Sequence, residues 1–188
     1  MIYKNAIISL GLIFVAGLAA WTTILSYRPQ EAPVAPPSQL PDAFMEDVVA
    51  VIMDKQGKPK MKIVTPKIVH YAEKDTTHLT TPQLTLYRKS PNPWYITSKY
   101  AKATQGVDIV DFWEDVTIHH SADSDNPATL IKTPTLTVYP EKQLADTNDP
   151  ITMIQPNTTI KAVGMHADMN TGTILLLSQA RGEYVPNP

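Results

Sequence analysis

The stretch VVAVIMDKQGKPKMKIVTPKIVHY, residues 48–71, shows how this chain folds. Two runs rich in β-branched residues, 48–53 and 61–65, flank a turn signal around Gly57, which predicts two strands joined by a turn. No window of residues 42–188 keeps the apolar period of a helix over three turns. The sequence therefore predicts an all-β body.

Similar runs recur along the chain at a spacing near ten residues, which is typical of a meander, a sandwich or an open roll. Turn signals such as those at 105–106, 148–150 and 170–172 separate them. The further predicted strands are 68–72, 78–81, 84–87, 94–98, 107–113, 116–120, 128–133, 136–139, 151–154, 158–165, 173–178 and 182–185.

One seven-residue pattern occurs twice, as TPQLTLY at 81–87 and as TPTLTVY at 133–139. In each copy a proline precedes an alternating strand, so Leu84 and Leu86 share one face, as do their counterparts in the second copy. Prolines at such boundaries can end a strand or kink it without loss of a central ladder bond. The repetition suggests the layers of a β-roll or jelly roll, with chance similarity as the alternative.

Residues 5–27 carry no charged side chain, and Lys4 and Arg28 flank them. As a helix this run would extend about 34 Å, enough to cross a hydrocarbon core of about 30 Å. The sequence therefore predicts a transmembrane anchor in residues 1–28, with a cytoplasmic N-terminus. A cleaved signal peptide is the alternative, but the apolar run continues past Ala20.

Residues 29–41, PQEAPVAPPSQLP, contain five prolines and no glycine. This composition favours extended polyproline II, which predicts a semi-rigid spacer about 40 Å long. Disorder is the alternative, and it would leave the role of spacer intact. The remaining residues, 42–188, suffice for one domain with a single core.

The chain has 16 Lys and Arg against 18 Asp and Glu, and no cysteine. Without a basic stripe, nucleic acid is not a predicted partner, and a peripheral grip of the body on anionic lipid is not expected. The lack of cysteine excludes disulfides and thiol catalysis. The body must therefore rely on its core and its sheet hydrogen bonds.

The sequence predicts no enzyme, no metal site and no cofactor. His119 and His120 are adjacent on a predicted strand, so they face opposite sides and cannot hold one metal ion together. The carboxylates at 108, 111, 114 and 115 could include a catalytic pair, but a solvated strand face and turn is the preferred interpretation. The sequence shows no phosphate loop, dinucleotide fingerprint or nucleophile elbow.

Several predicted strands, including 48–53 and 173–178, are apolar on both faces. A single sheet cannot bury both faces of such strands. We therefore expect either a closed sandwich or an open roll whose interior takes up an apolar guest.

Several stretches together match the pattern of a known family: 48–71, 78–84, 94–96 with Ala101, 133–140, 149–152, and 164–168 followed by 176–182. In their order behind an apolar N-terminal segment, the chain resembles the LptC family of lipopolysaccharide export proteins of Gram-negative bacteria. The resemblance covers almost the whole length. Two features depart from it, the long spacer and Trp113-Glu114-Asp115-Val116, where relatives often have glycine before the valine, which puts the local turn in doubt.

The resemblance implies a single-pass inner-membrane protein whose periplasmic β-jellyroll is a slightly open V. It implies that lipopolysaccharide arrives from an ABC transporter, made of LptF, LptG and the LptB ATPase, whose periplasmic roll the first strands would face. The last strands would pass it to the bridge protein LptA by strand addition. The family's lipid-lining positions fall on Val48, Leu79, Ile174 and Tyr184.

Two alternatives stay open at this point. The first is an anchored scaffold that only docks partner proteins, with Leu79 and the other apolar positions as plain core. The second is an anchored hydrolase of glycan or lipid, which would need convergent catalytic groups that the sequence does not show.

Overall fold

The computed structural model describes residues 40–87, 92–124 and 126–186. The predicted anchor and residues 29–39 of the spacer lie outside these ranges. The described residues contain no helix with the length and apolarity that a bilayer crossing requires.

The described part of the chain is all-β, as predicted, with antiparallel pairing throughout. Its one helical segment is a short 3-10 turn, Ala72–Lys74. The strands are β1 Ala43–Met53, β2 Pro59–Tyr71, β3 Thr76–Thr80, β4 Gln83–Leu86, β5 Trp94–Thr97, β6 Tyr100–Thr104, β7 Ile109–His120, β8 Thr129–Tyr139, β9 Leu144–Gln155, β10 Thr158–Asp168 and β11 Thr173–Tyr184.

Two long strands pair with different neighbours along their length, which divides the sheet into two halves. We call half A the part built on β4 and β5, which pair with 61–64 of β2 and 117–120 of β7. Half B is built on β3 and β6, which pair with 67–71 of β2 and 109–113 of β7. Strands β8 to β11 continue through both halves, and β1 and β11 form the two edges.

Each long strand bends where it passes from one half to the other. Pro66 lies where β2 changes its partner from β4 to β3, Pro134 and Pro150 lie at shifts in the register of their strands, and the β7–β8 register shifts by one residue at Glu114 and Asp115. Of the four prolines that the sequence pattern places at strand boundaries, 82 and 156 do lie between strands, whereas 66 and 134 lie inside the continuous strands β2 and β8. A proline at such an irregularity removes no regular ladder bond.

The ends of the two halves meet along a line that we call the seam, formed by Lys60, Tyr87, Trp94, Glu141, Gln143 and Met169. Trp94 Nε1 donates a hydrogen bond to the Met169 carbonyl oxygen at 3.1 Å. Lys60 Nζ lies 2.6 Å from a Glu141 carboxylate oxygen. Bends on one side and the seam on the other place the halves face to face, which makes the body a jellyroll-like roll.

The core fills the space between the halves. Strand alternation directs Ile96, Ile118 and Ile131 inward on adjacent strands, in direct register and fully buried. In half B, Ala101 and Phe112 form an equivalent row. Complete burial of one such aliphatic or aromatic side chain contributes about 1.5–3 kcal/mol. The predicted shared faces of the repeat are confirmed, because Leu84, Leu86, Leu136 and Val138 are all buried.

Several predicted boundaries differ from the structure, and the predicted pairs 61–65 and 68–72, 128–133 and 136–139, and 173–178 and 182–185 each form one strand. The predicted runs 107–113 and 116–120 are one strand, because the bulge at Glu114 bends β7 without ending it. The predicted turn at 148–150 lies within β9. Strand β6 was not predicted, because its inward residues are the small Ala101 and Ala103.

Candidate functional site

The inner face of the roll is apolar, and its exposure changes from the middle strands to the edges. Ile96 and Phe112, on middle strands, are fully buried. At the edges, the inward residues Val48 and Ile52 of β1 and Ile174 of β11 are only partly buried and pack against the core. The apolar interior is therefore accessible at both edges.

Each edge strand also has one side without a neighbouring strand among the described residues, and its outer face carries apolar side chains. Among the described residues, β1 pairs only with β2, and β11 only with β10. Phe44 on the outer face of β1 is 69% exposed, and Leu175 on that of β11 is 58% exposed. Long unprotected edges with exposed apolar side chains are typical sites for the addition of a further strand.

Buried polar groups lie next to the seam. His120 Nε2 is 3.3 Å from Asp123 Oδ2, and both side chains are almost fully buried. The His120 ring packs against the Trp94 ring with 4.6 Å between centroids. His119 is exposed, which confirms that the two histidines face opposite sides. No sequence pattern predicted the His120–Asp123 pair, because Asp123 lies in a loop.

A family profile described as lipopolysaccharide-assembly, LptC-related, matches residues 12–185. The chain belongs to this LptC-related family. The identification by resemblance is confirmed, and the chain is a component of lipopolysaccharide transport. No curated protein matches the sequence. Among solved structures, the chain is similar to the crystal structure of LptH, the LptA-homologous periplasmic component of the lipopolysaccharide transport device from Pseudomonas aeruginosa. The two share 11% identity with a TM-score of 0.47, over 78% of this chain and 94% of that one.

All four predicted lipid-lining positions of this LptC-related chain lie on the inner face, but not at one place. Val48 pairs with buried Thr65, and Leu79 pairs with buried Ile68, both near the β1 edge. Ile174 lies at the opposite edge. Through half B the neighbouring strands run in the order β3, β6, β7, β8, β9, β10 and β11, so six strand pairings separate β3 from β11.

The four positions also differ in burial. Leu79 is 4% exposed and belongs to the core. Tyr184 is 67% exposed at the end of β11, where it pairs with Thr158. Val48 and Ile174 lie between these extremes. The set therefore combines one core residue, two residues at the openings and one exposed residue.

The inner face presents mainly alkyl and aromatic carbon, and the buried threonine hydroxyls of Thr65 and Thr133 donate to backbone carbonyl oxygens. The hydroxyl of Thr65, for example, donates to the Thr80 carbonyl oxygen at 2.6 Å. Charged groups lie on the outer face, where Lys102 and Asp111 pair across β6 and β7. Burial, and then the charges of Lys102 and Lys74, lower the pKa of His78 on the same face. This arrangement can hold an apolar chain inside and polar groups outside.

Proposed function

We propose that this protein accepts lipopolysaccharide from the inner-membrane ABC transporter, formed by LptF, LptG and LptB, and passes it to the periplasmic bridge protein LptA. An N-terminal anchor in residues 1–28 would hold the body at the inner membrane, on the periplasmic side. Family membership supports the cargo. The observation that supports a lipid path through the interior is the partial exposure of the inward apolar residues at both edges, such as Val48 and Ile174.

In this proposal the acyl chains lie between halves A and B. Transfer of one methylene from water to an apolar surface is worth about 0.8 kcal/mol, so several chains offer a large driving force. The middle of the roll is filled by side chains such as Phe112, so entry requires the halves to separate. The seam suits that motion, because its hydrogen bonds, each worth about 0.5–1.5 kcal/mol net, can be replaced by water.

The two edges would then serve different partners. Strand β1 would add to the roll of the transporter, and β11 would add to LptA, each through its unpaired backbone groups. A docking scaffold that carries no lipid is the second candidate, and the exposed outer residues Phe44 and Leu175 favour it.

Site-specific photo-crosslinking tests the lipid route against the scaffold. A crosslinker at Val48 or Ile174 should capture lipopolysaccharide only when the transporter hydrolyses ATP. Each has a matched control in the next residue, Val49 or Leu175, which lies on the same strand but points outward. Equal capture at inner and outer positions, or capture of proteins alone, would favour the scaffold.

A further inference from the structure

A groove crosses the outer face of the roll along the bend, where β7, β8 and β9 pass from half A to half B. Its volume is about 750 Å³, within the range of about 300–1,000 Å³ that is usual for ligand sites. The lining residues are Trp113, Glu114, Asp115, Val116, Thr117, Lys132, Thr133, Pro134, Thr135, Pro150 and Thr152. The inner-face positions proposed for lipid are not among them.

The two walls of the groove come from the two halves. In half A, Thr117, Lys132 and Thr152 lie in direct register on three adjacent strands, so their side chains share the outer face. In half B, Trp113 pairs with Thr135 and forms the opposite wall. The groove therefore runs across the strands, with a row of hydroxyl and ammonium groups facing an aromatic side chain.

Trp113 is held in place from behind. The Tyr100 ring stacks on it with 5.9 Å between centroids and an interplanar angle of 27°. Tyr100 is on β6, on the side of β7 away from β8, whereas the groove lies on the β8 side. One face of the indole is thus covered by Tyr100, and the other is available to the groove.

The rim carries two carboxylates in an unusual backbone conformation. Glu114 and Asp115 have φ values of +61° and +57°, in the left-handed region that favours glycine. Asp115 Oδ2 is 3.0 Å from Lys99 Nζ, and Asp115 is the position where glycine was the family expectation. The chain therefore keeps a carboxylate beside the groove at a cost in backbone energy.

This set of groups fits a saccharide. The C–H face of a sugar ring can pack on the free face of Trp113, and sugar hydroxyls can exchange hydrogen bonds with threonine hydroxyls and donate to carboxylates. A proline-rich peptide in a polyproline II helix prefers a groove lined by several aromatic rings. In this groove Trp113 is the only aromatic lining residue, and most of the other lining residues have polar side chains.

We propose that this groove binds the carbohydrate part of lipopolysaccharide. The proposal rests on the proposed function for the identity of the ligand, but it concerns a different surface, the outer face at the bend. Because the groove lies outside the roll, its sugar contacts do not require acyl chains in the interior. It would hold the hydrophilic part of the cargo against the body during transfer.

The test measures binding of lipopolysaccharide freed of its acyl chains by alkaline hydrolysis to the full chain in detergent micelles, by calorimetry. Trp113→Leu should weaken binding roughly tenfold, because it removes the stacking surface. Thr152→Val keeps the shape of the side chain and should weaken binding about threefold. The matched controls, Tyr95→Leu and Thr85→Val, change an exposed aromatic residue and an outer threonine away from the groove and should leave binding unchanged.

The variant Asp115→Gly tests whether weaker saccharide binding could result from loss of folding. Glycine tolerates the positive φ, so the variant should be at least as stable as the parent while it binds the saccharide more weakly. No binding by the parent, unchanged binding by Trp113→Leu, or displacement of the saccharide by a proline decamer would overturn the proposal. ATP-dependent crosslinking at Val48 reports the interior route separately, so either proposal can fail while the other stands.

Discussion

The middle strands and the edge strands of the roll are built from similar apolar residues, but these residues differ in burial. Ile96 and Phe112 in the middle are fully buried and hold the two halves together. The β1 and β11 edges carry apolar side chains on both faces, of which Phe44 and Leu175 are largely exposed. Exposed apolar surface adds little to the stability of the isolated fold. The difference indicates that the middle provides stability, and it leaves the edges available for the contacts with cargo and partners that we propose.

The largest expected effect separates Leu79 from the edge positions. Leu79→Ala should lower the free energy of unfolding by about 2–5 kcal/mol, because it opens a cavity in the core. Val48→Ala, at an opening, should cost about 1 kcal/mol or less. Urea unfolding of both variants measures the difference. Similar small losses for both would show that Leu79 lines an adaptable surface, which would break the division between middle and edge.

The next effect tests how tightly β11 is held on β10. Gly164 has a φ of +78°, and an added Cβ would lie 2.8 Å from Leu177 Cδ1. Gly164→Ala should therefore cost about 1–3 kcal/mol from backbone strain and crowding. Gly57→Ala is the matched control, since Gly57 has a φ of +76° but nothing within 4 Å of the added Cβ. Thermal unfolding that shows equal losses would mean that Leu177 moves aside freely.

The seam should respond more weakly. Trp94→Phe removes the hydrogen bond to the Met169 carbonyl, and we expect a loss of about 1 kcal/mol in stability. If the halves separate at the seam, the variant should also raise lipopolysaccharide crosslinking at Leu79 relative to the parent. Tyr95→Phe, on the outer face of the same strand, is the control. Lower stability with unchanged crosslinking would place the opening elsewhere.

Sequence reasoning predicted the strands better than their connections. Alternation identified residues that share the inner face, such as Leu84 and Leu86 of β4, because a strand side chain can face only two ways. It missed β6, where the inward residues are alanines, and it read Pro150 as part of a turn although the strand bends there. It also could not separate Leu79 from Ile174. Both face inward, and only the position of a strand within the sheet decides whether an inward residue is core or opening.

The outer groove was beyond sequence reasoning for a similar reason. Trp113 and Thr152 are far apart in the chain and meet only because β7, β8 and β9 are neighbours in register. The one available signal was Asp115, where the family pattern led us to expect glycine. That departure marked the local turn as unusual, and the structure shows a positive φ there.

The smallest expected effect concerns His78, which lies on the outer face of β3, between the β1 edge and the middle. Burial, and then the charges of Lys102 and Lys74, lower the pKa of His78 in the folded state. The unfolded chain therefore binds this proton more readily, so stability should fall slightly as pH drops below about 6.5, the usual histidine pKa. Stability should recover none of this loss below the folded pKa, where both states are protonated. An NMR titration of the His78 ring measures the shift directly, and Lys102→Met should move the pKa partway back toward its usual range. A His78 pKa that Lys102→Met does not change would leave burial and the charge of Lys74 as the causes, and it would mean that Lys102 on the outer face does not act on β3.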